Sequence, residues 1–210
     1  TFEARNESLA KIMLHVDSAL REAGLDLKDV EGFGVGLGPG SWTGIRIGVT
    51  VGKMLAYGTG KPVKGISTLE VLAYGVRDST RIICPIIDAG AAGTMYAAFY
   101  RRDSHGLHQA GDYYVGDPAG LAGLITEPVI LVAADAAKYQ KMMGQRLQAN
   151  DIEVRESTPG GAAVALLAAA HLEKGGPDDT LALAPLYLKE STARAFVNKY
   201  KQRAQAAPPG

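Results

Sequence analysis

The sequence predicts an α/β fold built from two units that share one order of elements. Apolar patterns with the strand period and with the helix period alternate along the chain, and 210 residues are enough for one or two cores. Residues 81–174 give the order βββαβαβα, and residues 8–76 give αβαβα. The first unit thus matches the second without its three-strand meander. We expect a first lobe at 1–78 and a second lobe, with a basic tail, at 79–210.

The first unit opens with an amphipathic helix at 8–23, which ends at Gly24, a residue suited to a helix C-terminus. A strand at 32–37 follows, in which glycine alternates with larger apolar residues. One face of this strand is therefore bare, and we expect another element to pack closely against it. The apolar face of the helix consists of Leu9, Ile12, Met13, Val16, Ala19, Leu20 and Ala23.

A glycine-rich turn joins this strand to a second helix. Ser41 or Thr43 can cap that helix. Free N–H groups at the helix start could bind an anion, but any tight strand-to-helix connection needs the same residue types, so both interpretations remain open. The spacing matches neither a Walker A loop, nor a nucleophile elbow, nor a dinucleotide fingerprint. The turn and its flanking residues are Gly38, Pro39, Gly40, Ser41, Thr43, Gly44 and Arg46.

The helix at 44–58 is apolar over about twice the arc of a helix that lies on one sheet. We therefore expect it to be covered on two sides. Glycine costs a helix about 1 kcal/mol relative to alanine, so its three glycines at four-residue spacing indicate a close approach by another helix. The bulky arc is Ile47, Val51, Met54 and Leu55, and the small arc is Gly44, Ile45, Gly48, Val49, Gly52 and Ala56.

The remaining elements follow from the same patterns. Ser67 to Glu70 has the form of a capping box that opens a helix, and Asp117 with Pro118 suits a helix start. The predicted strands lie at 62–66, 81–88, 94–100, 107–115, 129–133 and 152–155. The predicted helices lie at 67–76, 117–125, 136–149 and 161–174, and an extended segment lies at 181–189.

Composition narrows the function classes. Lys plus Arg equals Asp plus Glu at 22 each, so no overall field attracts nucleic acid. A single cysteine, Cys84, excludes an internal disulfide and a multi-cysteine metal site. No apolar run approaches the length of about 20 residues that spans a membrane, and no signal peptide is visible. We expect a cytoplasmic protein without a membrane partner.

Candidate catalytic groups are few. His105 and His108 fall in a predicted hairpin loop, where a surface role fits better than a metal site, and we predict no bound metal. No Ser, His and Asp set can be assembled. Asp88 is the best isolated carboxylate, and a turn or capping role is favoured for it. The tail from Thr192 carries basic and aromatic residues that could contact RNA, although such tails are more often solvated. We predict a binding role and no catalytic residue.

Two segments carry a family resemblance. The segment GLGPGSWTGIRIG at 36–48 and the segment GKPVKGISTLEVLA at 60–73 closely resemble the TsaB (YeaZ) family, whose turn usually reads GPGSFTGLRIG. The likeness continues more weakly around Asp88 and Tyr96 and at 184–189. A motif of this length is specific.

The resemblance implies the actin, Hsp70 and sugar-kinase-like fold, with two βββαβαβα lobes, the first of which lacks its N-terminal strands here. It further implies a subunit without catalysis that pairs with TsaD, the enzyme that transfers a threonylcarbamoyl group to an adenine of tRNA, and that is joined by TsaE. ATP and metal are then expected on the partner subunits, tRNA is reached through the complex, and the chain alone could form a homodimer. The implied contact residues are Leu9, Ile12, Met13, Val16, Leu20, Ile45, Gly48, Val49, Gly52 and Ala56.

This chain departs from the family pattern in three places. The opening strands with a motif like LAIDTS are absent, residues 6–8 replace a frequent histidine, and Asp88-Ala89-Gly90 replaces an Asp-Ala-Arg sequence that precedes a Glu-Val-Tyr pattern. The rival function is an ATP-binding ATPase or small-molecule kinase of the same fold, with nucleotide at the turn 38–44. A glycoprotease-like hydrolase lacks both a metal cluster and a triad in this sequence.

Overall fold

The structure is a computed structural model that describes residues 9–90, 93–143 and 151–188. It confirms the α/β class, with helices packed on two sheets. The first elements in chain order are α1 (Leu9–Glu22), a 3-10 turn (Leu27–Asp29), β1 (Phe33–Gly38), α2 (Trp42–Thr59), β2 (Val63–Ser67) and α3 (Thr68–Tyr74). The predicted order αβαβα is therefore correct.

The later elements form the larger sheet and its helices. The strands are β3 (Ile82–Asp88), β4 (Met95–Ala97), β5 (Tyr100–Asp103), β6 (Gly106–Gln109), β7 (Tyr114–Gly116), β8 (Val129–Ala133) and β9 (Ile152–Glu156). The helices are α4 (Pro118–Leu124), α5 (Ala136–Met143) and α6 (Gly161–Gly175). The predicted continuation of α5 to residue 149 lies outside the described residues.

The small sheet consists of β1 and β2, which pair in parallel with Phe33 opposite Val63 and Val35 opposite Gly65. Within the described part of the chain, no strand pairs with the other edge of β1. Val35 faces α2, whereas Gly34 faces α6 so closely that a Cβ at that position would lie 2.8 Å from the Cβ of Ala168. The prediction that the glycine face of this strand is closely covered is confirmed at Gly34, whereas a Cβ at Gly36, on the same face, would meet nothing within 4 Å.

The large sheet has a parallel centre, β3, β8 and β9, with antiparallel strands added beside β3. The two outer strands of the meander, predicted as 94–100 and 107–115, are each broken into two. β4 and β5 both pair with β3, while β7 pairs with β4 and β6 with β5. The two breaks lie side by side, because the Ala110 N–H donates to the Phe99 carbonyl at 2.7 Å. The predicted three-strand meander is therefore confirmed, but an irregularity shared by its two outer strands divides each of them into two.

Helix starts follow the predicted caps with one correction. Asp117 accepts a hydrogen bond from the Gly120 N–H at 2.8 Å, with Pro118 opening α4. Ser67 accepts from the Leu69 N–H at 3.3 Å, but Glu70 does not complete the capping box. Its carboxylate lies 2.6 Å from Nε2 of His171 on α6 instead, because the side chain is turned toward α6 and away from the helix start.

The segment predicted to be extended at 181–189 begins with a turn at 181–182, which corrects its start, and residues 183–188 belong to no helix or strand. It nevertheless folds back on the first sheet, where Leu183 is buried and the Leu186 N–H donates to the Leu37 carbonyl at 2.9 Å. α6 also packs on β1 and β2, so elements from both predicted lobes meet there. The lobe boundary at residue 78 stays a prediction.

Candidate functional site

The glycine-rich turn has the backbone that its sequence predicts. Gly38 and Gly40 have φ of 95° and 158°, values that side chains rarely allow. A Cβ at Gly38 would also lie 2.7 Å from Cδ1 of Ile45, so the end of the Ile45 side chain packs directly over this glycine. The turn and the first turn of α2 thus form one packed unit.

Ser41 is the residue that caps α2. Its side-chain oxygen accepts from the Gly44 N–H at 3.3 Å, and its carbonyl accepts from the Ile45 N–H at 2.9 Å. Thr43 lies inside the helix, so the alternative cap is wrong. Because the Gly44 N–H already donates to the Ser41 hydroxyl, one fewer N–H group at the start of α2 is available to bind an anion than the sequence suggested.

A cleft of about 440 Å³ lies beside the turn. Asp88 borders it and is held on two sides, by the Lys138 ammonium and by the Gly90 N–H at 2.8 Å. The hydrogen bond from Lys138, followed by that from Gly90, lowers the pKa of Asp88. The carboxylate is therefore ionised and engaged, as the favoured turn role predicts. Other residues around this cleft include Pro39, Gly40, Ser41, Thr68, Asp135 and Tyr139.

An apolar groove of about 460 Å³ lies between α1, β1 and α2, along the edge of β1 that pairs with no described strand. Every lining residue is apolar or glycine. α1 contributes Ile12, Val16, Ala19 and Leu20; α2 contributes Gly48, Val51, Gly52 and Leu55; the rest are Leu27, Val30, Phe33, Gly34, Val35 and Gly36. We call this feature the α1–α2 groove.

The structure separates the residues that sequence placed on one partner-binding surface. Ile12, Val16, Leu20 and Gly48 line the α1–α2 groove, together with one side of Gly52. Met13 is half-buried but does not line the groove, and the side chain of Leu9 lies outside the described residues. The partner-binding role of these residues stays a prediction.

The small arc of α2 largely faces the chain's own core. Val49 and Ala56 are 3% and 2% exposed and pack with Val35 and Val63. A Cβ at Gly52 would overlap the Val35 side chain. The close neighbour at this glycine is therefore strand β1, which corrects the prediction of another helix. Gly48 differs, because a Cβ there would meet nothing within 4 Å.

Sequence reasoning missed one surface cluster. Trp42 at the start of α2 lies 4.8 Å, between ring centroids, from Tyr187 in the segment after α6, and Arg46 lies against both rings. The weak family likeness at 184–189 was the only signal for Tyr187. His105 lies in the predicted hairpin turn, whereas His108 lies in β6 opposite Arg101, which corrects its predicted place in the loop. Both imidazoles lie near the Asp103 carboxylate. Among the described residues, no group of three His, Cys, Asp or Glu side chains could hold a metal ion.

Within the described ranges, none of the helices has both the length and the apolar character that crossing a membrane requires.

Burial raises the pKa of the only thiol, Cys84, which is fully enclosed in the large core. This cysteine is a packing residue.

The helices packed on two sheets define an α/β protein of the YeaZ-like fold, and solved structures share this fold. A Pseudomonas aeruginosa protein described as similar to peptidase YEAZ superposes with a TM-score of 0.74 at 21% identity, covering 90% of this chain and 92% of that one. YeaZ from Pseudomonas aeruginosa gives a TM-score of 0.72 at 22% identity, covering 89% and 87%. At this identity the likeness establishes the fold.

The family itself follows from sequence. The family model described as TsaD, tRNA N6-adenosine threonylcarbamoyltransferase, matches residues 3–199, and the chain belongs to this family. It is 38% identical over 104 residues to the tRNA threonylcarbamoyladenosine biosynthesis protein TsaB of Escherichia coli, and 31% identical over 146 residues to that of Bacillus subtilis. These matches span 48% and 68% of this chain but 44% and 63% of the relatives. The resemblance predicted from the turn motif is confirmed.

Proposed function

We propose that this chain serves the synthesis of N6-threonylcarbamoyladenosine in tRNA as a non-catalytic subunit that binds a TsaD-like protein through the α1–α2 groove. The observation that carries the proposal is that α1 and α2, the two helices implied by the resemblance, line one apolar surface with partly exposed side chains. The same surface borders the edge of β1 that pairs with no described strand, beside which the opening strands of the family would lie. The names of the TsaB relatives supply the pathway.

The groove has the physical character of a protein-binding surface. Its lining has no charged group, and along α1 the side chains of Ile12, Val16 and Leu20 are only partly covered by the chain itself. Burying apolar surface is worth about 25 cal/mol per Å², so a partner helix that fills the groove gains stability. At Gly48 the space beyond the helix is open, which allows the backbone of such a helix to approach closely.

The engagement of the polar groups near the turn supports a role without catalysis. The Ser41 oxygen caps α2, and the Asp88 carboxylate is paired with Lys138. A nucleophile or a general base needs a lone pair directed at a substrate, and these two groups direct theirs at the protein. In this proposal ATP and metal are bound by the TsaD-like subunit and by a TsaE-like ATPase, and tRNA is bound by the assembled complex.

The test is complex formation between this chain and the TsaD-like protein of the same organism, measured by size exclusion and by titration calorimetry. We expect Gly48→Leu to weaken the complex by about tenfold or more, which is about 1.4 kcal/mol, because leucine fills the space meant for the partner. Thr50→Leu adds the same side chain to an exposed site of α2 and is the matched control.

Two results would refute the proposal: no complex with the full chain, or full threonylcarbamoyl transfer by the TsaD-like protein without it. Equal loss of binding in the Thr50→Leu control would show that the groove is not the contact. Sedimentation of the chain alone tests whether a second copy occupies the groove when the partner is absent.

A second candidate function has a structural basis in the cleft beside the turn. A volume of about 440 Å³ bordered by Ser41, Thr68 and Asp88 is of the size of a small-molecule site. An ATPase or small-molecule kinase would place nucleotide there. Titration of the isolated chain with ATP separates the two functions, because tight binding with turnover would favour the enzyme and replace the scaffold proposal.

A further inference from the structure

Trp42, Arg46 and Tyr187 form an ordered surface cluster, which we call the aromatic platform. The guanidinium carbon of Arg46 lies 4.1 Å from the centroid of the Trp42 ring and 6.0 Å from that of Tyr187. Its Nε donates to the Tyr187 hydroxyl at 3.2 Å. The two rings are 4.8 Å apart and tilted by 42°. Two residues come from α2 and one from a segment 141 positions further on, so the fold brings them together.

The rings remain accessible after they have packed on each other. Trp42 is 50% exposed and Tyr187 is 48% exposed. A single exposed aromatic residue is ordinary, but here two of them flank an arginine on the same patch. Aromatic residues and arginine supply much of the binding free energy in recognition surfaces.

The platform is held in place before any ligand arrives. Lys53 donates from Nζ to the carbonyls of Leu181 and Leu183 at 2.8 and 2.9 Å, which fixes the returning segment on α2. Further along, the Leu186 N–H donates to the Leu37 carbonyl at 2.9 Å. A preorganised surface loses little conformational entropy when it binds.

The charge of Arg46 is left for a ligand. Across residues 9–90, 93–143 and 151–188, no carboxylate forms an ion pair with it, and its terminal nitrogens donate to no protein acceptor. Guanidinium groups bind phosphate oxygens through such nitrogens. By sequence, positions 189–210 follow directly with five basic residues and one acidic residue, a balance that attracts a polyanion. These charges favour nucleic acid over an apolar protein partner.

We propose that the aromatic platform binds unpaired nucleotides of RNA, with a base stacked on Trp42 or Tyr187 and a phosphate held by Arg46. Surfaces that bind single strands combine stacking rings with cations in this way. The inference goes beyond the proposed function, in which tRNA is reached through partner subunits, and only the choice of RNA over DNA rests on that function.

Trp42 is the only tryptophan in the chain, so its fluorescence reports directly on stacking. The experiment titrates the full chain, without any partner protein, with an eight-nucleotide oligouridylate, the matching oligodeoxyuridylate and an abasic ribose-phosphate oligomer. We expect the oligouridylate to quench the tryptophan and the abasic oligomer to leave it unchanged. Anisotropy of a labelled oligouridylate gives the affinity, which should fall steeply with salt.

Arg46→Ala and Tyr187→Ala should each weaken RNA binding by about tenfold, within the range known for removal of a stacking partner. Arg21→Ala, an exposed arginine of α1 paired with Asp17, is the control and should bind normally. Thermal melts establish that the variants are folded.

Three outcomes overturn the inference. RNA binding without quenching, and without sensitivity to Tyr187→Ala, would assign the contact to the basic tail. Equal quenching by DNA would remove the preference for RNA. Normal RNA binding by the platform variants, together with loss of the complex with the TsaD-like protein, would make the platform a protein contact. Because the titration uses the chain alone, its result is independent of the test of the groove.

Discussion

The two sides of the β1–α2 unit use glycine for opposite reasons. On the closed side, a Cβ at Gly52 would overlap Val35, and a Cβ at Gly34 would lie 3.0 Å from the Val164 carbonyl oxygen of α6. On the open side, along the α1–α2 groove, a Cβ at Gly48 would meet nothing within 4 Å, and a Cβ at Gly36, on the same face of β1 as Gly34 but beyond the contact with α6, would also meet nothing. Equal spacing along one helix therefore does not imply an equal role. One set of glycines fits the chain to itself, and the other leaves room beside it.

The largest expected effect is at Gly52. Gly52→Leu should lower the free energy of unfolding by about 3 kcal/mol, because a side chain forced between α2 and Val35 overpacks a closed core. Urea unfolding measures the change. Gly48→Leu, one turn away on the open side, is the control and should lose no stability, because leucine suits a helix interior nearly as well as alanine and meets open space there. Equal losses for the two variants would mean that the two sides do not differ.

Gly34→Ala tests the closed side from the strand. The added methyl group would press on the Ala168 side chain and on the Val164 carbonyl of α6, and a helix backbone cannot move aside cheaply. We expect a loss of about 2 kcal/mol in the free energy of unfolding. The same change at Gly36, where the space is empty, should be neutral or slightly stabilising. A stable Gly34→Ala protein would show that α6 does not fix the spacing.

Asp178, which follows α6 in the chain, holds this segment against β2 on the closed side. Its carboxylate binds the Lys64 ammonium at 2.7 Å and the Gly65 N–H at 2.8 Å, both on β2. Burial raises the pKa of Asp178, but Lys64 and the Gly65 N–H outweigh it and hold the pKa below its usual range. Asp178→Asn should cost about 1.5 kcal/mol at neutral pH, as for a hydrogen bond to a charged group.

The dependence on pH follows from the lowered pKa. The contribution of Asp178 is complete above the unfolded-state pKa of about 3.9 and is lost as pH falls through the lower folded-state value. The difference in stability between the natural protein and Asp178→Asn should therefore be constant above about pH 5 and shrink below about pH 4. Chemical unfolding at several pH values measures it. A difference that grows toward low pH would contradict the assigned ion pair.

Much of the fold could be predicted because it is encoded locally. Alternation in β1 and the helical period of α2 need only neighbouring residues, and Ser67 and Asp117 mark helix starts by their chemistry. The breaks at 98–99 and 110–113 could not be predicted, because they arise where two strands adjust to each other. Continuous strand patterns conceal such adjustments.

The candidate site was predicted less completely, for a physical reason. Helical periodicity gives the direction in which a side chain points but not what lies in that direction. The small arc of α2 was therefore correctly predicted to be closely covered at Gly52. The element that covers it there is strand β1, however, and not another helix. The contacts of Glu70 with His171 and of Trp42 with Tyr187 join residues more than 100 positions apart, and no local pattern indicates them.

The smallest expected effect, at Gly48, gives the sharpest comparison with Gly52. Gly48→Ala should raise the free energy of unfolding by about 0.5 to 1 kcal/mol, because alanine suits a helix interior better than glycine and its methyl group meets no neighbour. Thermal melts and urea unfolding measure the gain. Gly52→Ala should show no such gain, since its methyl group overlaps Val35. If Gly48→Ala is destabilised instead, the open side is closed in solution, and the room at Gly48 is already filled by the chain or by a second copy of it.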